Sequence, residues 1–177
     1  MQSSVQESAA RVAAPDAESQ AAVRRYLSFA SGSEYCAANI AAIREIIEVP
    51  ALTPVPMVAS VVRGVINLRG AVVPVIDLAE RFGLGRTEIG RRSCVVVMEF
   101  GEGRLRQLMG VLVDAVHEVV DVTPADVEPV PELGTRIRPE HLEGMAKVGG
   151  RLITLLDLER VLSVDDLARQ VSARAPH

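Results

Sequence analysis

Two stretches of the chain resemble each other in sequence, and this internal repeat limits the folds that are open to it. Residues 64–78 read GVINLRGAVVPVIDL, and 80 residues later residues 144–158 read GMAKVGGRLITLLDL. An upstream stretch, IREIIEV at 43–49, recurs as VHEVVDV at 116–122. Each copy spans only about 65 to 70 residues, a size at which an open sheet buries too little surface to be stable alone. We therefore expect two similar units that pack together and share a core.

The residue pattern of both copies predicts β-strands. Short runs rich in Val and Ile, bounded by Gly, Pro or Asn, are typical of strands rather than helices. Closing each sheet into a barrel removes its exposed edges, so the sequence predicts an all-β protein with two five-stranded, barrel-like lobes. We expect strands near 24–30, 34–39, 44–49, 61–68 and 71–77, and again near 93–99, 105–113, 116–122, 142–148 and 151–156.

The same pattern suggests where the parts of the chain begin and end. We place the first lobe at about 23–90, the second at about 91–156 and a short C-terminal helical segment at 157–171. Residues 1–22 are mostly Ser, Gln, Ala and Glu without a sustained apolar pattern. Such a composition predicts a disordered tail.

The repeat also separates what the fold needs from what a function could need. Asp77 and Asp157 occur in both copies, each directly after a strand, and we interpret both as helix N-caps. Asn39 is a candidate cap for one helical turn that follows the second strand. Where the first copy has Asn67-Leu-Arg69, the second has Lys-Val-Gly. Asn67 and Arg69 are therefore the leading candidates for a functional site.

The composition argues against several classes of function. A net charge of −4 and the scarcity of aromatic residues disfavour a nucleic-acid binder. His117, His141 and His177 are not spaced as metal ligands, and Cys36 and Cys94 lie within strand patterns that favour buried thiols. We expect no enzymatic activity, no cofactor and no metal. With neither a secretory signal nor an apolar stretch of about 20 residues, we expect a cytoplasmic protein without membrane insertion.

Two charged residues remain open to more than one interpretation. Arg69 lies at a predicted hairpin turn, where its guanidinium group could bind carboxylates of a partner or form an ordinary local ion pair. Glu45 lies among Ile43, Ile46 and Ile47, and strand alternation would place it outward beside apolar neighbours. An apolar edge rimmed by charge is typical of a protein interface, although Glu118 at the equivalent position of the second copy favours a scaffold role.

At these residues the sequence resembles the CheW family of bacterial chemotaxis coupling proteins. The match spans about 24–165, and its most specific part is the GVINLRGAVVPVIDL stretch of residues 64–78, with its Asn-Leu-Arg-Gly turn. Supporting pieces are YLSF at 26–29, IREI at 43–46 and GVLVDAV at 110–116.

The resemblance implies two intertwined SH3-like five-stranded barrels and an adaptor without enzymatic activity. Members of the family connect the cytoplasmic tips of chemoreceptors to the CheA histidine kinase, whose regulatory domain has the same fold. By the same resemblance, the surface that meets receptor or kinase would be marked by Ile43, Glu45, Gly64, Asn67 and Arg69. Such a protein would work in the cytoplasm at membrane-associated receptor arrays.

Two other functions compete with this hypothesis. One is a CheW-like adaptor that serves a different array, controlling pili, gliding or development. The other is a barrel that senses a small ligand, which would need a concave pocket with converging polar groups. The predicted interior positions are nearly all Val, Ile and Leu, so the sequence favours the adaptor.

Overall fold

A computed structural model describes residues 23–130 and 136–163. The predicted tail at 1–22 and residues 164–171 of the predicted helical segment lie outside the described residues. The described chain is dominated by strands, as the sequence predicts. The strands are β1 (Arg24–Ser31), β2 (Glu34–Asn39), β3 (Ile43–Glu48), β4 (Val62–Leu68), β5 (Ala71–Asp77), β6 (Cys94–Phe100), β7 (Gln107–Val113), β8 (Ala115–Val122), β9 (Val127–Glu128), β10 (Leu142–Val148) and β11 (Arg151–Leu156).

All ten strands expected from the sequence are present, with bounds that differ by two residues at most. Among the strands of the described residues, the sequence misses only β9, which pairs with β10 through two residues of a proline-rich connection. A strand of two residues is too short to show an alternating pattern. The all-β prediction is confirmed.

The strands form two sheets, each curled into an SH3-like barrel. Barrel one has the strand order β3-β6-β7-β5-β4, and barrel two has the order β8-β1-β2-β11-β10-β9. Because β8, β10 and β11 are the repeat equivalents of β3, β4 and β5, the two orders are the same apart from the extra β9. The exception is a swap: barrel one takes the hairpin β6–β7 from the second copy, and barrel two takes β1–β2 from the first.

Because of the swap, the two sheets do not coincide with the two lobes that we expected along the sequence. Each barrel contains strands from both halves of the chain, so lobes at about 23–90 and 91–156 do not correspond to the two sheets. The connections explain this. Asp114 alone separates β7 from β8, whereas a tight hairpin needs about two residues, so the chain crosses to the other sheet. The "intertwined" arrangement implied by the family resemblance is the one observed.

Apolar side chains fill three cores. A central core lies between the barrels and includes Phe29, Ile76, Val111 and Leu156. The interior of barrel one is lined by Ile66, Val73, Val75, Val95, Val97 and Leu112. The interior of barrel two is lined by Tyr26, Ala37, Val120, Val122, Ala146, Ile153 and Leu155. Side chains therefore occupy the inside of both barrels, and partners are left with the outer surface.

The helices are short and begin where the sequence places their caps. Helix α1 (Leu78–Arg81) follows Asp77, and helix α2 (Leu158–Val161) follows Asp157. Each aspartate accepts a hydrogen bond from the backbone N–H three residues later, at 3.3 Å in both cases. Asn39 likewise caps a 3₁₀ turn at Ile40–Ala42. The three capping predictions are confirmed.

The two helices meet at the junction of the barrels. The Nε atom of Arg81, a buried residue of α1, donates a 2.9 Å hydrogen bond to the carbonyl oxygen of Val161 in α2. Val161 is 80 residues after Arg81 and is its repeat equivalent. The side chain therefore links equivalent points of the two copies and satisfies a carbonyl group at the end of α2.

Candidate functional site

The turn between β4 and β5 has the backbone that a two-residue hairpin requires. Arg69 and Gly70 occupy its central positions with φ values of 52° and 88°. Positive φ at both positions matches the twist of the flanking strands. The Oδ1 atom of Asn67 accepts a hydrogen bond from the N–H of Gly70 at 2.9 Å. The Asn67 side chain therefore stabilises the turn that presents Arg69.

Arg69 is engaged with Glu45 on the far edge of the same sheet. Its Nη2 atom donates to Oε2 of Glu45 at 2.8 Å, with the Arg69 side chain 78% exposed and the Glu45 side chain 25% exposed. In the strand order of barrel one, β3 and β4 are the two outermost strands. The ion pair thus spans the opening between them. An exposed pair of this kind contributes about 0 to 1 kcal/mol to stability, so its main effect is to orient the two side chains.

Below the ion pair lies a hollow of about 320 Å³ with an apolar floor. Leu68, Val97 and Leu108 form the floor, and Arg44 joins Glu45 and Arg69 in its wall. On the hairpin itself, Val72 lies opposite Asn67 and is 69% exposed. We call Glu45, Asn67, Arg69 and Val72 the hairpin surface: a charged pair beside exposed and half-exposed apolar groups.

A second ion-pair group extends the charge of this region. Glu99 on β6 is within 3.0 Å of Arg44 and 3.6 Å of Arg106, and both arginines are more than 60% exposed. Together with Arg69 and Glu45, the rim holds three guanidinium groups and two carboxylates. Its net positive charge suits a partner that presents carboxylates.

Glu45 does not point outward in the way that alternation suggested. Along β3 the half-buried side chains are Ile43, Glu45 and Ile47, whereas Ile46 is 43% exposed on the opposite face. The Glu45 carboxylate can occupy this half-buried position because Arg69 forms an ion pair with it at the rim of the hollow. Ile43 lies beyond a register shift, packs against the central core and is not part of the hairpin surface.

Gly64 lies on β4 away from the hairpin surface and is buried. Its φ is +147°, and a Cβ atom there would lie 2.6 Å from the carbonyl oxygen of Thr53. Thr53 and Val65 exchange backbone hydrogen bonds of 3.0 and 2.9 Å beside it. Gly64 therefore permits the approach of the segment after β3, and it offers no side chain to a partner.

Sequence reasoning recognised Asp77 as a cap and missed its larger role. Asp77 is fully buried, and its carboxylate accepts hydrogen bonds from Arg63, from Glu80 and twice from Thr87. The repeat held a signal for this network. Arg63 corresponds to Glu143 in the second copy, so the two copies differ at this position. The same kind of difference singled out Arg69.

The cysteines show no sign of reactive chemistry. Burial raises the pKa of the Cys36 thiol to about 12, with the charge of Glu34 adding to the effect. Burial also raises the pKa of Cys94, to which Glu48 contributes. Both thiols stay protonated at neutral pH, and the thiol is the unreactive form. Within residues 23–130 and 136–163, no group of three His, Cys, Asp or Glu side chains could hold a metal ion.

The described helices are also too short to cross a membrane. Helices α1 and α2 have four residues each, and no helix in the described ranges is long and apolar enough to span a bilayer.

Two strand-swapped SH3-like barrels with a charged hairpin at the surface define a class of protein, the β-barrel scaffold. Comparison with known proteins shows the family to which this chain belongs. A family model described as "CheW-like domain" matches residues 25–166. The chemotaxis protein CheW of Klebsiella aerogenes is 30% identical over 145 residues, which cover 82% of this chain and 85% of that protein. The chain belongs to the CheW family, and it is a chemotaxis coupling adaptor.

A solved structure agrees with this assignment. The crystal structure of the scaffolding protein TtCheW from Thermoanaerobacter tengcongensis matches with a TM-score of 0.70 and 32% identity, over 80% of this chain and 89% of that one. Protein FrzA of Myxococcus xanthus is 33% identical over 122 residues, covering 68% of this chain and 73% of FrzA. The family therefore includes relatives that carry another name than CheW.

Proposed function

We propose that this adaptor binds the cytoplasmic tips of chemoreceptors and the regulatory domain of the CheA histidine kinase, and that it is recruited to receptor arrays at the membrane. Its effect is positional, because it holds two partners in a geometry where the state of the receptor biases the kinase. Family membership and the filled interiors of both barrels support a role that is carried by the outer surface.

We propose the hairpin surface as one of the contact surfaces. The observation that carries this assignment is the Arg69–Glu45 ion pair of 2.8 Å, formed at a turn where the second copy of the repeat has glycine in place of Arg69. Arg69 keeps a left-handed backbone conformation at φ 52°, which a residue other than glycine adopts at a cost. A strained and largely exposed arginine over an apolar hollow is the arrangement that an interface anchor needs.

Of the five site positions that the family resemblance implies, we propose that three contact a partner and that two support the contact surface. Glu45, Asn67 and Arg69 lie on the hairpin surface. Ile43 packs into the central core, and Gly64 admits the Thr53 backbone. We propose that these two act on binding indirectly, by holding β3 and β4 in place.

An Arg69→Glu variant tests the assignment. We expect at least a tenfold loss of affinity for the receptor tip or for the regulatory domain of CheA, because the rim loses its guanidinium anchor and gains a repelled carboxylate. The midpoint of thermal unfolding should change by less than about 3 °C, since an exposed ion pair contributes about 0 to 1 kcal/mol. Titration calorimetry against each purified partner measures both affinities.

Arg25→Glu is the matched control for this experiment. Arg25 is an exposed arginine on barrel two that pairs with Asp121 at 3.4 Å, both side chains being 65% exposed. The same change of charge there should leave both affinities unchanged. Equal binding by wild type and Arg69→Glu would remove the hairpin surface from the contacts. Rescue by a second change, Glu45→Arg, would show that the ion pair itself orients the interface.

The similarity to FrzA is compatible with a second candidate, a CheW-like adaptor of a different array. The two candidates differ in the kinase that they bind. A competition titration against each CheA-type kinase of the same organism distinguishes them. Preference for the kinase of the flagellar chemotaxis system supports the first candidate, and preference for another kinase supports the second.

A further inference from the structure

The loop between β3 and β4 carries a methionine that is almost entirely exposed. Met57 is 95% exposed, whereas Met98, Met109 and Met145 are 1%, 4% and 5% exposed. Among the described methionines, Met57 alone has a thioether that solvent reaches freely. An unpartnered apolar side chain at this degree of exposure has no role in the cores described above.

The backbone holds Met57 in this position. Its φ is 63°, in the left-handed region that residues other than glycine avoid. Pro54 and Pro56 precede it and restrict the loop. The start of the loop is fixed to β4 by the two hydrogen bonds between Thr53 and Val65. The exposure of the sulfur atom is therefore a property of the folded loop.

We propose that Met57 is a site of reversible oxidation by hydroperoxides, with hydrogen peroxide as the simplest oxidant. The sulfur lone pair attacks one peroxide oxygen, the O–O bond breaks, an S–O bond forms, and the other oxygen leaves as water after proton transfer. Sulfur loses two electrons and the peroxide gains them. Methionine sulfoxide reductases reverse the step with electrons from thiols. Burial protects the other three described methionines from the same reaction.

Oxidation changes the chemistry of the loop surface. Met57 shares its patch with Val55 and Val58, which are 37% and 40% exposed. A sulfoxide is polar where the thioether is apolar, so the product replaces the most exposed apolar group of the patch with a strong hydrogen-bond acceptor. The proposal is independent of the adaptor function, since it depends only on the exposure and chemistry of this loop.

Peptide mapping of the full chain after mild treatment with hydrogen peroxide tests the proposal. The five methionines fall on separate tryptic peptides, and Met57 lies on the peptide 45–63. We expect this peptide to gain about 16 Da, one oxygen atom, at least ten times faster than the peptides with Met98, Met109 and Met145. The thermal unfolding midpoint should stay unchanged, because no core residue is modified.

A Met57→Leu variant provides the control, since Leu keeps the size and apolar character and cannot form a sulfoxide. Oxidised wild type should elute earlier from a hydrophobic-interaction column, the variant should show a smaller shift, and a mixture of methionine sulfoxide reductases A and B should restore the wild-type elution. Oxidation of Met98, Met109 or Met145 at the rate of Met57 would overturn the proposal. So would an equal elution shift in Met57→Leu, or a failure of the reductases to restore the peptide mass.

Discussion

An Asp77→Ala variant is expected to lose about 3 to 5 kcal/mol of unfolding free energy, the usual result of removing one partner of a buried ion pair. Asp77 is fully buried, and its Oδ2 atom accepts from Arg63 at 2.8 Å and from the Thr87 N–H at 2.9 Å. Its Oδ1 atom accepts from the Thr87 hydroxyl at 2.7 Å and caps α1. Alanine removes all of these acceptors and leaves the guanidinium group without its counter-charge.

The second copy of the repeat supplies a matched control. Asp157 caps α2 at the same 3.3 Å distance, but its side chain is 30% exposed, and both of its contacts are with Arg160, through the backbone N–H and the exposed guanidinium group. Asp157→Ala should therefore cost about 1 kcal/mol, the value of a lost cap. Urea denaturation of both variants measures the difference. A loss in Asp77→Ala no greater than in Asp157→Ala would mean that Asp77 is a cap and nothing more.

A Gly64→Ala variant is expected to lose about 2 to 5 kcal/mol, from left-handed strain and from overpacking together. The added Cβ atom would lie 2.6 Å from the Thr53 carbonyl oxygen, at a backbone φ of +147°. The backbone must then shift, because the obstacle is another stretch of backbone. We expect the hydrogen bonds between Thr53 and Val65 to lengthen or break, which hydrogen exchange of the Val65 amide would detect.

Gly144→Ala is the equivalent change in the second copy. The added Cβ would meet the Val127 Cγ1 atom at 3.0 Å, the end of a side chain that can rotate, and φ lies outside the left-handed region. The reduced freedom of the unfolded chain offsets part of the cost by about 0.4 to 1 kcal/mol. We expect a much smaller loss than in Gly64→Ala. Equal losses in the two variants would show that contact with Thr53 is not what requires glycine at position 64.

The Gly64 result bears on how a binding defect at this position should be interpreted. A substitution there displaces β4, the strand that leads to Asn67 and Arg69. Partner affinity would fall together with stability, whereas Arg69→Glu should lower affinity alone. Measuring both quantities for both variants separates a residue that supports the hairpin surface from one that makes the contact.

The sequence predicts the local features of the fold correctly because their causes are local. Runs of Val and Ile between turn residues specify the strands, and Asp or Asn before a helical turn specifies the caps. The Asn67–Gly70 turn follows in the same way, since few residues other than glycine accept a positive φ. Comparison of the two copies then singles out Arg69, because the second copy has glycine at the equivalent position and the fold therefore does not require arginine there.

The remaining features depend on contacts between distant parts of the chain. The swap of β1–β2 and β6–β7 between barrels arises from pairings between residues that are 46 to 98 positions apart, which no local pattern encodes. The inner position of Glu45 depends on Arg69, 24 residues away. The network of Asp77 requires Arg63 and Thr87 to converge from opposite sides in sequence. Each of these becomes visible only when the barrels are assembled.

Co-sedimentation with receptor-containing membranes tests the coupling role most directly. CheA kinase and membranes that carry chemoreceptors from the same organism are mixed with increasing amounts of this chain, and the kinase in the pellet is measured. We predict that pelleted kinase rises and saturates as wild-type protein is added, and that Arg69→Glu requires at least tenfold more protein for the same effect. The same amount of pelleted kinase with and without this chain would contradict the adaptor function.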